Sequence, residues 1–149
     1  YSMMYRDYEK LFPVLEELNI GFVAFSPLAN GLLTAAYHSH GEFERPGDYR
    51  SMMPQFTEEG LKENERFMLW IRQLAEEKNA TPAQISLAWM RAKKPYIVPI
   101  PGTRKVNRLE ENMKSADIKL TQDEVKSIDD RLNHMPMSQV FGGSKIQKK

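Results

Sequence analysis

Two short apolar runs, each leading to a helix signal, limit the folds open to this sequence. The runs occupy residues 22–25 (Phe-Val-Ala-Phe) and 97–100 (Ile-Val-Pro-Ile), and each has the pattern of a fully buried parallel strand. Segments with helical periodicity precede the first run, separate the two runs and follow the second. This alternation predicts an α/β fold in which right-handed helical crossovers connect parallel strands.

The number of strands is too small for a complete sheet of this kind. Residues 1–4 add at most the end of one more strand, and so few parallel strands cannot cover both faces or close into a barrel. A (β/α)8 barrel typically needs about 250 residues, whereas this chain has 149. We therefore expect the fold to be incomplete on its own.

Capping signals and apolar spacing predict the helices between and after these runs. Residues 30–56 form a long loop, and long loops in compact domains tend to be functional. From Pro136 onward we expect a loosely held tail. The predicted helices lie at residues 11–18 and 58–78, after Thr81-Pro82, after Thr103 and after Thr121.

The turn at Pro101-Gly102 and the helix signal after it have the features of an anion site. Thr103 is a good N-cap, and a helix N-terminus attracts anions through its free N–H groups and its dipole. Arg104 and Arg108 are four residues apart, so a helix would carry both on one face, where they repel unless an anion lies between them. The Gly102 N–H, the Thr103 hydroxyl and the two arginines would then form a phosphate clamp.

Glu111 and Asn112 continue this face one turn further along the predicted helix. A carboxylate accepts a hydrogen bond from an exocyclic amine, and an amide both donates and accepts, so this pair suits the edge of an adenine. The alternative is a solvated, charged helix face, which such strings more often form. Spacing alone leaves both interpretations open.

Composition excludes several classes of function. The net charge is +1, so no overall field favours nucleic acid or a membrane surface, and no apolar run approaches the ~18 residues of a membrane span. The absence of cysteine rules out disulfides, thiolate zinc sites and a thiol nucleophile, and a cytoplasmic protein is the natural expectation. His38, His40 and His134 lack the further ligands that a metal site needs, so we predict no metal.

Four motifs, in the same order along the chain, resemble the aldo-keto reductase family. They are residues 1–2 (Tyr-Ser), 25–33, 81–89, and the Ile-Pro-Gly-Thr-Arg-Lys…Arg-Leu-Glu-Glu-Asn string within 100–112. The resemblance implies a (β/α)8 TIM barrel, of which this chain is the C-terminal portion, from the end of strand six through helix eight. Residues 1–135 would be the C-terminal half of that barrel, and residues 136–149 a C-terminal tail.

The resemblance also implies a binding site for NADP (as NADPH). Tyr1 would stack under the nicotinamide ring, and the segment at 26–33 would fold over the pyrophosphate and its ribose. Arg104 and Arg108 would bind the 2′-phosphate, and two such forked side chains favour NADP over NAD. The residues assigned to cofactor binding are Tyr1, Ser26, Pro27, Leu28, Asn30, Gly31, Leu33, Ile100, Gly102, Thr103, Arg104, Arg108, Glu111 and Asn112.

The same resemblance places catalysis outside this chain. The family's catalytic Asp, Tyr, Lys and His belong to the first half of the barrel, and no motif for them occurs here, so we assign no catalytic residue. The whole protein would reduce an aldehyde or ketone to an alcohol with NADPH. These 149 residues alone are predicted to be inactive and to need the missing N-terminal half as a partner.

Two other hypotheses stay open. One takes the complete protein as a nicotinamide-binding regulatory subunit on the same fold. The other takes the chain as an inactive fragment that self-associates through its open barrel edge. Gln55 departs from the Pro-Arg-Phe of a similar family loop, which puts a charge role at that position in doubt.

Overall fold

The structure, a computed structural model, describes residues 1–140. Within these residues no helix has both the length and the apolar character needed to cross a membrane. The elements are, in chain order, α1 (Phe12–Glu17), β1 (Phe22–Ala24), α2 (Glu58–Glu77), α3 (Pro82–Lys93), β2 (Ile97–Pro99), α4 (Val106–Lys114) and α5 (Gln122–His134). Short 3-10 segments lie at Asp7–Leu11, Ala29–Thr34, His40–Phe43, Tyr49–Met52, Pro54–Phe56 and Ser115–Asp117.

The two strands pair in parallel, as the sequence predicts for an α/β fold. Phe22 is opposite Ile97, and Ala24 is opposite Pro99. The connection between them contains the long loop, α2 and α3. Because parallel neighbours end at the same edge of a sheet, the turn after β1 and the turn after β2 lie side by side.

The prediction that both strands are fully buried is wrong. Ala24 is 0% exposed and Ile97 is 3% exposed, but Val23 is 61% exposed and Val98 is 54% exposed. Side chains alternate between the two faces of a strand, and the described helices cover only one of these faces. The other face is an apolar surface formed by Val23, Phe25, Val98 and Ile100, which we call the bare sheet face.

Helix α3 is the centre of the hydrophobic core. Trp89 is fully buried, and its indole ring stacks on the ring of Tyr1 with the centroids 5.6 Å apart. Its Nε1–H donates to Asp129 of α5 over 2.9 Å. Lys93, at the end of α3, contacts both Asp129 and Glu9. One buried helix therefore connects the N-terminal segment to the last helix.

The capping signals locate most of the helix boundaries. Thr121 forms the capping box that the sequence predicts, and Thr81 is the predicted N-cap, which the structure shows as part of a second capping box with Gln84. Helix α1 ends just before Asn19, which has a left-handed φ of 52°. The possible strand end at residues 1–4 is a tight turn instead, in which Ser2 and Tyr5 exchange two backbone hydrogen bonds of 3.1 Å. Local sequence signals are strong where a single turn satisfies its own polar groups.

The chain from Pro136 to residue 140 is not the loosely held tail that the sequence suggests. Val140 is 2% exposed and Ser138 is 8% exposed. The buried amide of Asn64 donates to the Ser138 hydroxyl over 2.8 Å and accepts from the Ser138 N–H over 3.0 Å. This segment is therefore anchored to α2, and the rest of the predicted tail, residues 141–149, lies outside the described residues.

We expect Asn64→Ala to lower the free energy of unfolding by about 2 kcal/mol, since it leaves the buried Ser138 N–H without its partner. Urea denaturation measures the change. Gln73→Ala, at an exposed position of the same helix, is the matched control and should change stability by less than ~0.5 kcal/mol. Equal losses in the two variants would show that the anchor contributes nothing.

Candidate functional site

The turns after β1 and β2 open on one cavity of about 520 Å³. The backbone bond from the Ile100 N–H to the Ala24 carbonyl, 3.2 Å long, holds the ends of the two strands together at its edge. The cavity brings together most of the residues that the sequence assigns to cofactor binding, namely Ser26, Pro27, Leu28, Asn30, Gly31, Ile100, Gly102, Thr103, Arg108, Glu111 and Asn112.

Three of the assigned residues do not line this cavity. Leu33 is fully buried in the core, and Arg104 is exposed before α4 begins. Tyr1 is 3% exposed: Trp89 stacks on its ring and its hydroxyl donates to Glu9 over 2.7 Å. The ring is buried among aromatic side chains, and that burial, with the nearby Glu9 carboxylate, raises the pKa of Tyr1. In this structure the face of the Tyr1 ring packs in the core and does not line the cavity.

The turn after β1 has unusual backbone geometry. Ser26, Ala29 and Asn30 have left-handed φ values of 53°, 47° and 58°, and Gly31 has a φ of 100°. Left-handed conformations at non-glycine residues cost of order 1–3 kcal/mol each and cluster at ligand sites. At Gly31 an added Cβ would also lie 3.3 Å from the Tyr37 ring, a tight contact that would require the ring to shift by a few tenths of an ångström.

Two polar atoms of this turn are shielded from solvent and have no hydrogen-bond partner among residues 1–140. They are the Ser26 hydroxyl and the Asn30 Nδ2. A shielded polar atom without a partner costs about 1–3 kcal/mol, so such atoms are rare and call for an explanation. Both can donate a hydrogen bond, which is what the oxygen atoms of a phosphate require.

The second side of the cavity differs from the sequence prediction in one respect. Helix α4 begins at Val106, with Lys105 as the N-cap residue, and not directly after Thr103. The Thr103 hydroxyl accepts from the Lys105 N–H over 3.2 Å, so it closes a local turn instead of capping the helix. Arg104 therefore lies before the helix, and the prediction that Arg104 and Arg108 share one helical face is wrong.

Arg108 reaches the cavity from the first turns of α4, where an ion pair orients it. Its Nη1–H donates to the Glu111 carboxylate over 2.7 Å, and its side chain is 43% exposed. Arginine carries five N–H donors, so the guanidinium keeps others for an anion. Gln84 of α3 donates to the Glu111 carbonyl over 2.9 Å and ties α4 to the core.

Among the residues of this cavity that sequence reasoning did not assign are two tyrosines, Tyr37 and Tyr49. Both belong to the long loop, and the Tyr49 hydroxyl donates to Asn30 Oδ1 over 3.3 Å. Beside Tyr49, Arg50 forms a forked ion pair with Asp48, with contacts of 2.8 and 2.6 Å. The hydrogen bonds from Arg50 lower the pKa of Asp48 to about 2. An Asp two residues before an Arg was the available sequence signal for this ordered turn.

The remaining polar residues that the sequence singles out lie elsewhere. Gln55 is fully buried, and within residues 1–140 its amide nitrogen donates only to the Met53 sulfur, at 3.7 Å. His40 Nδ1 lies 2.8 Å from the Phe56 carbonyl oxygen, so it belongs to the loop packing. No group of three or more His, Cys, Asp or Glu side chains suited to a metal ion is found in the described part of the chain.

Comparison with known proteins agrees with the motifs. The chain is 41% identical over 118 residues to an aldo-keto reductase, str7, of Strobilurus tenacellus, a match covering 79% of this chain and 35% of that protein. It is 41% identical over 112 residues to the aldo-keto reductase yakc (NADP(+)) of Schizosaccharomyces pombe, covering 75% of this chain and 33% of that protein. The chain thus spans about a third of the length of these relatives.

A solved structure with the same fold is the aldo-keto reductase from Klebsiella pneumoniae in complex with NADPH. It superposes with a TM-score of 0.59 at 21% identity, over 93% of this chain and 38% of that one. The Aldo/keto reductase family itself matches residues 1–133. Since this match takes in nearly the whole sequence, the chain belongs to the aldo/keto reductase family, a family of TIM barrels.

Proposed function

We propose that the cavity between the two turns binds NADP, and that the complete protein is an NADPH-dependent oxidoreductase that reduces an aldehyde or ketone to an alcohol. The observation that carries this proposal is a pair of donors without a partner among residues 1–140, the Ser26 hydroxyl and Asn30 Nδ2, on two residues that line the same cavity as Arg108. NADP carries two groups of anionic oxygens, the pyrophosphate and the 2′-phosphate, and the cavity offers donors on two sides.

Each side of the cavity suits one part of the cofactor. Ser26 and Asn30 would donate to the pyrophosphate, and Arg108 with Thr103 would bind the 2′-phosphate through charge-assisted hydrogen bonds. Glu111 orients Arg108 and, with Asn112, borders the space for the adenine. When bound, the nicotinamide supplies the hydride, and the residues of this chain hold and orient the cofactor that carries it.

We propose further that this chain is the C-terminal half of the barrel, from the end of strand six through helix eight. Its length relative to its relatives and its bare sheet face support its being one part of a barrel, and the resemblance of its motifs suggests which part. The catalytic Asp, Tyr, Lys and His would come from an N-terminal half, and the family makes a small carbonyl compound the expected substrate. A cytoplasmic location stays a prediction from composition. An upstream sequence without that Tyr or Lys would favour the regulatory-subunit hypothesis.

We expect Arg108→Ala to weaken the binding of NADP⁺ about tenfold or more, because a charge-assisted hydrogen bond contributes about 1.5–3 kcal/mol. Binding of NAD⁺, which lacks the 2′-phosphate, should change much less. Isothermal titration calorimetry of the purified chain with each nucleotide measures both effects.

Two further variants control this experiment. Lys114→Ala removes an exposed positive charge from the other end of α4 and should leave the affinity for NADP⁺ unchanged. Arg104→Ala should have a smaller effect than Arg108→Ala, because Arg104 lies outside the cavity. An unchanged affinity for NADP⁺ in Arg108→Ala, or an equal loss for NAD⁺, would overturn the assignment of the 2′-phosphate.

We expect the 149-residue chain to show no NADPH oxidation with a generic aldehyde above a buffer blank, because the proposed division of the barrel places the proton donor for the carbonyl oxygen in the N-terminal half. Absorbance at the NADPH band follows the reaction. Addition of an N-terminal half that carries the four catalytic residues should restore turnover. Activity of the isolated chain would place a proton donor within this sequence and contradict the proposed division of labour.

The bare sheet face favours a second candidate property, self-association of the isolated chain. Val23 and Val98 on this face are more than half exposed, and an exposed apolar patch favours packing against a second copy, in addition to pairing through the open barrel edge that the sequence leads us to expect. We expect the sedimentation coefficient to rise with concentration and Val23→Lys to suppress the rise. Val106→Lys, at a 71% exposed position on α4, is the control. A monomer at every concentration would exclude this candidate.

A further inference from the structure

We propose that Tyr49 is a positioning residue of the cofactor cavity, which holds the Asn30 amide so that its nitrogen can donate to the pyrophosphate. This inference rests on the proposed function, since it concerns the same cavity. It adds Tyr49, 19 positions further along the chain than Asn30, to the roles already given to the two turns and to α4. Tyr49 would not itself touch a phosphate but would act through Asn30.

The contact between the two side chains is direct. The Tyr49 hydroxyl donates to Asn30 Oδ1 over 3.3 Å. An amide group is planar, so a bond that holds Oδ1 also sets the direction of Nδ2. That nitrogen is shielded from solvent and has no hydrogen-bond partner in the part of the chain that the structure describes. With its oxygen occupied by Tyr49, the group that the amide keeps unbonded is a donor, which suits an anionic oxygen, and not an acceptor, which would repel one.

Tyr49 can act in this way because its own turn is held firmly. Asp48 accepts hydrogen bonds from the Arg50 backbone N–H over 3.1 Å and from the Arg50 guanidinium over 2.8 and 2.6 Å. The guanidinium also lies 4.9 Å from the centre of the Phe43 ring, a cation–π contact with a buried side chain. Asp48 and Arg50, on either side of Tyr49, are therefore held to each other and to the buried Phe43 of the same loop.

Arg50 also supports Gly31, the residue that follows Asn30 in the turn after β1. Arg50 Nη1–H donates to the Tyr37 hydroxyl over 2.8 Å. The Tyr37 ring lies so close to Gly31 that an added Cβ would be 3.3 Å from it. The loop therefore contacts the turn twice, through Tyr49 at the Asn30 side chain and through Tyr37 at the Gly31 backbone. Two contacts on consecutive residues fit a loop that braces a strained turn.

The test is Tyr49→Phe, which removes one hydroxyl at a mostly exposed position. Calorimetric titration with NADP⁺ should show an affinity about three- to tenfold lower, the range expected when one hydrogen-bonded donor loses its orientation. Titration with adenosine 2′-monophosphate, which has no pyrophosphate, should give the same affinity as the unmodified chain. Tyr96→Phe is the matched control, because it removes a 3.0 Å hydrogen bond to Glu16 outside the cavity.

A double-mutant cycle separates positioning from general loosening of the loop. Asn30→Gly removes the amide and accepts the left-handed backbone without strain. In that background Tyr49→Phe should cause no further loss of NADP⁺ affinity. An equal loss with and without Asn30, an equal loss for adenosine 2′-monophosphate, or an unchanged affinity in Tyr49→Phe would each overturn the proposal. Failure of the unmodified chain to bind NADP⁺ at all would instead overturn the proposed function on which it rests.

Discussion

The parallel pairing of β1 and β2 is the constraint on which the candidate site depends. Ile97 is fixed opposite Phe22, and the final bond of the pair runs from the Ile100 N–H to the Ala24 carbonyl. The chain leaves both strands immediately after that bond, so the turn with Ser26 and the turn with Gly102 must lie beside each other. A shift of one residue would reverse which side chains face the helices. It would also separate the donors on the two sides of the cavity.

Helix α3 packs against the covered face of the two strands and holds the elements around the cavity together. Its buried face packs against β2 and α2. Gln84, in its first turn, donates a hydrogen bond to the Glu111 carbonyl of α4, and Trp89 donates one to Asp129 of α5. Because α3 is buried on nearly every side, the bond from Gln84 ties α4, and with it Arg108, to a fixed part of the core. The opposite face of the sheet has no comparable support among the described residues. This asymmetry is what one part of a closed barrel, taken alone, would show.

Local signals in the sequence were reliable where residues within one turn of the chain satisfied each other's polar groups. They were less reliable where a side chain had more than one possible hydrogen-bond partner. The N-caps at Thr81 and Thr121 formed as predicted, because each needs only residues three positions apart. Thr103 had the same residue type but bonded to Lys105 instead, which moved the start of α4 and left Arg104 off the helix. The anchoring of Ser138 by Asn64 joins residues 74 positions apart, and no local pattern could have indicated it.

The sequence by itself determined the class of fold, the order of its elements and the chemistry of the two turns, because periodicity, caps and residue types are local properties. It also carried the family motifs, and the family is confirmed over residues 1–133. Only the tertiary structure decided which side chains meet. It brought Tyr49 to Asn30, buried Tyr1 against Trp89 and exposed one face of both strands. These outcomes depend on how distant segments pack and on which surfaces become covered. The spacing of neighbouring residues determines neither.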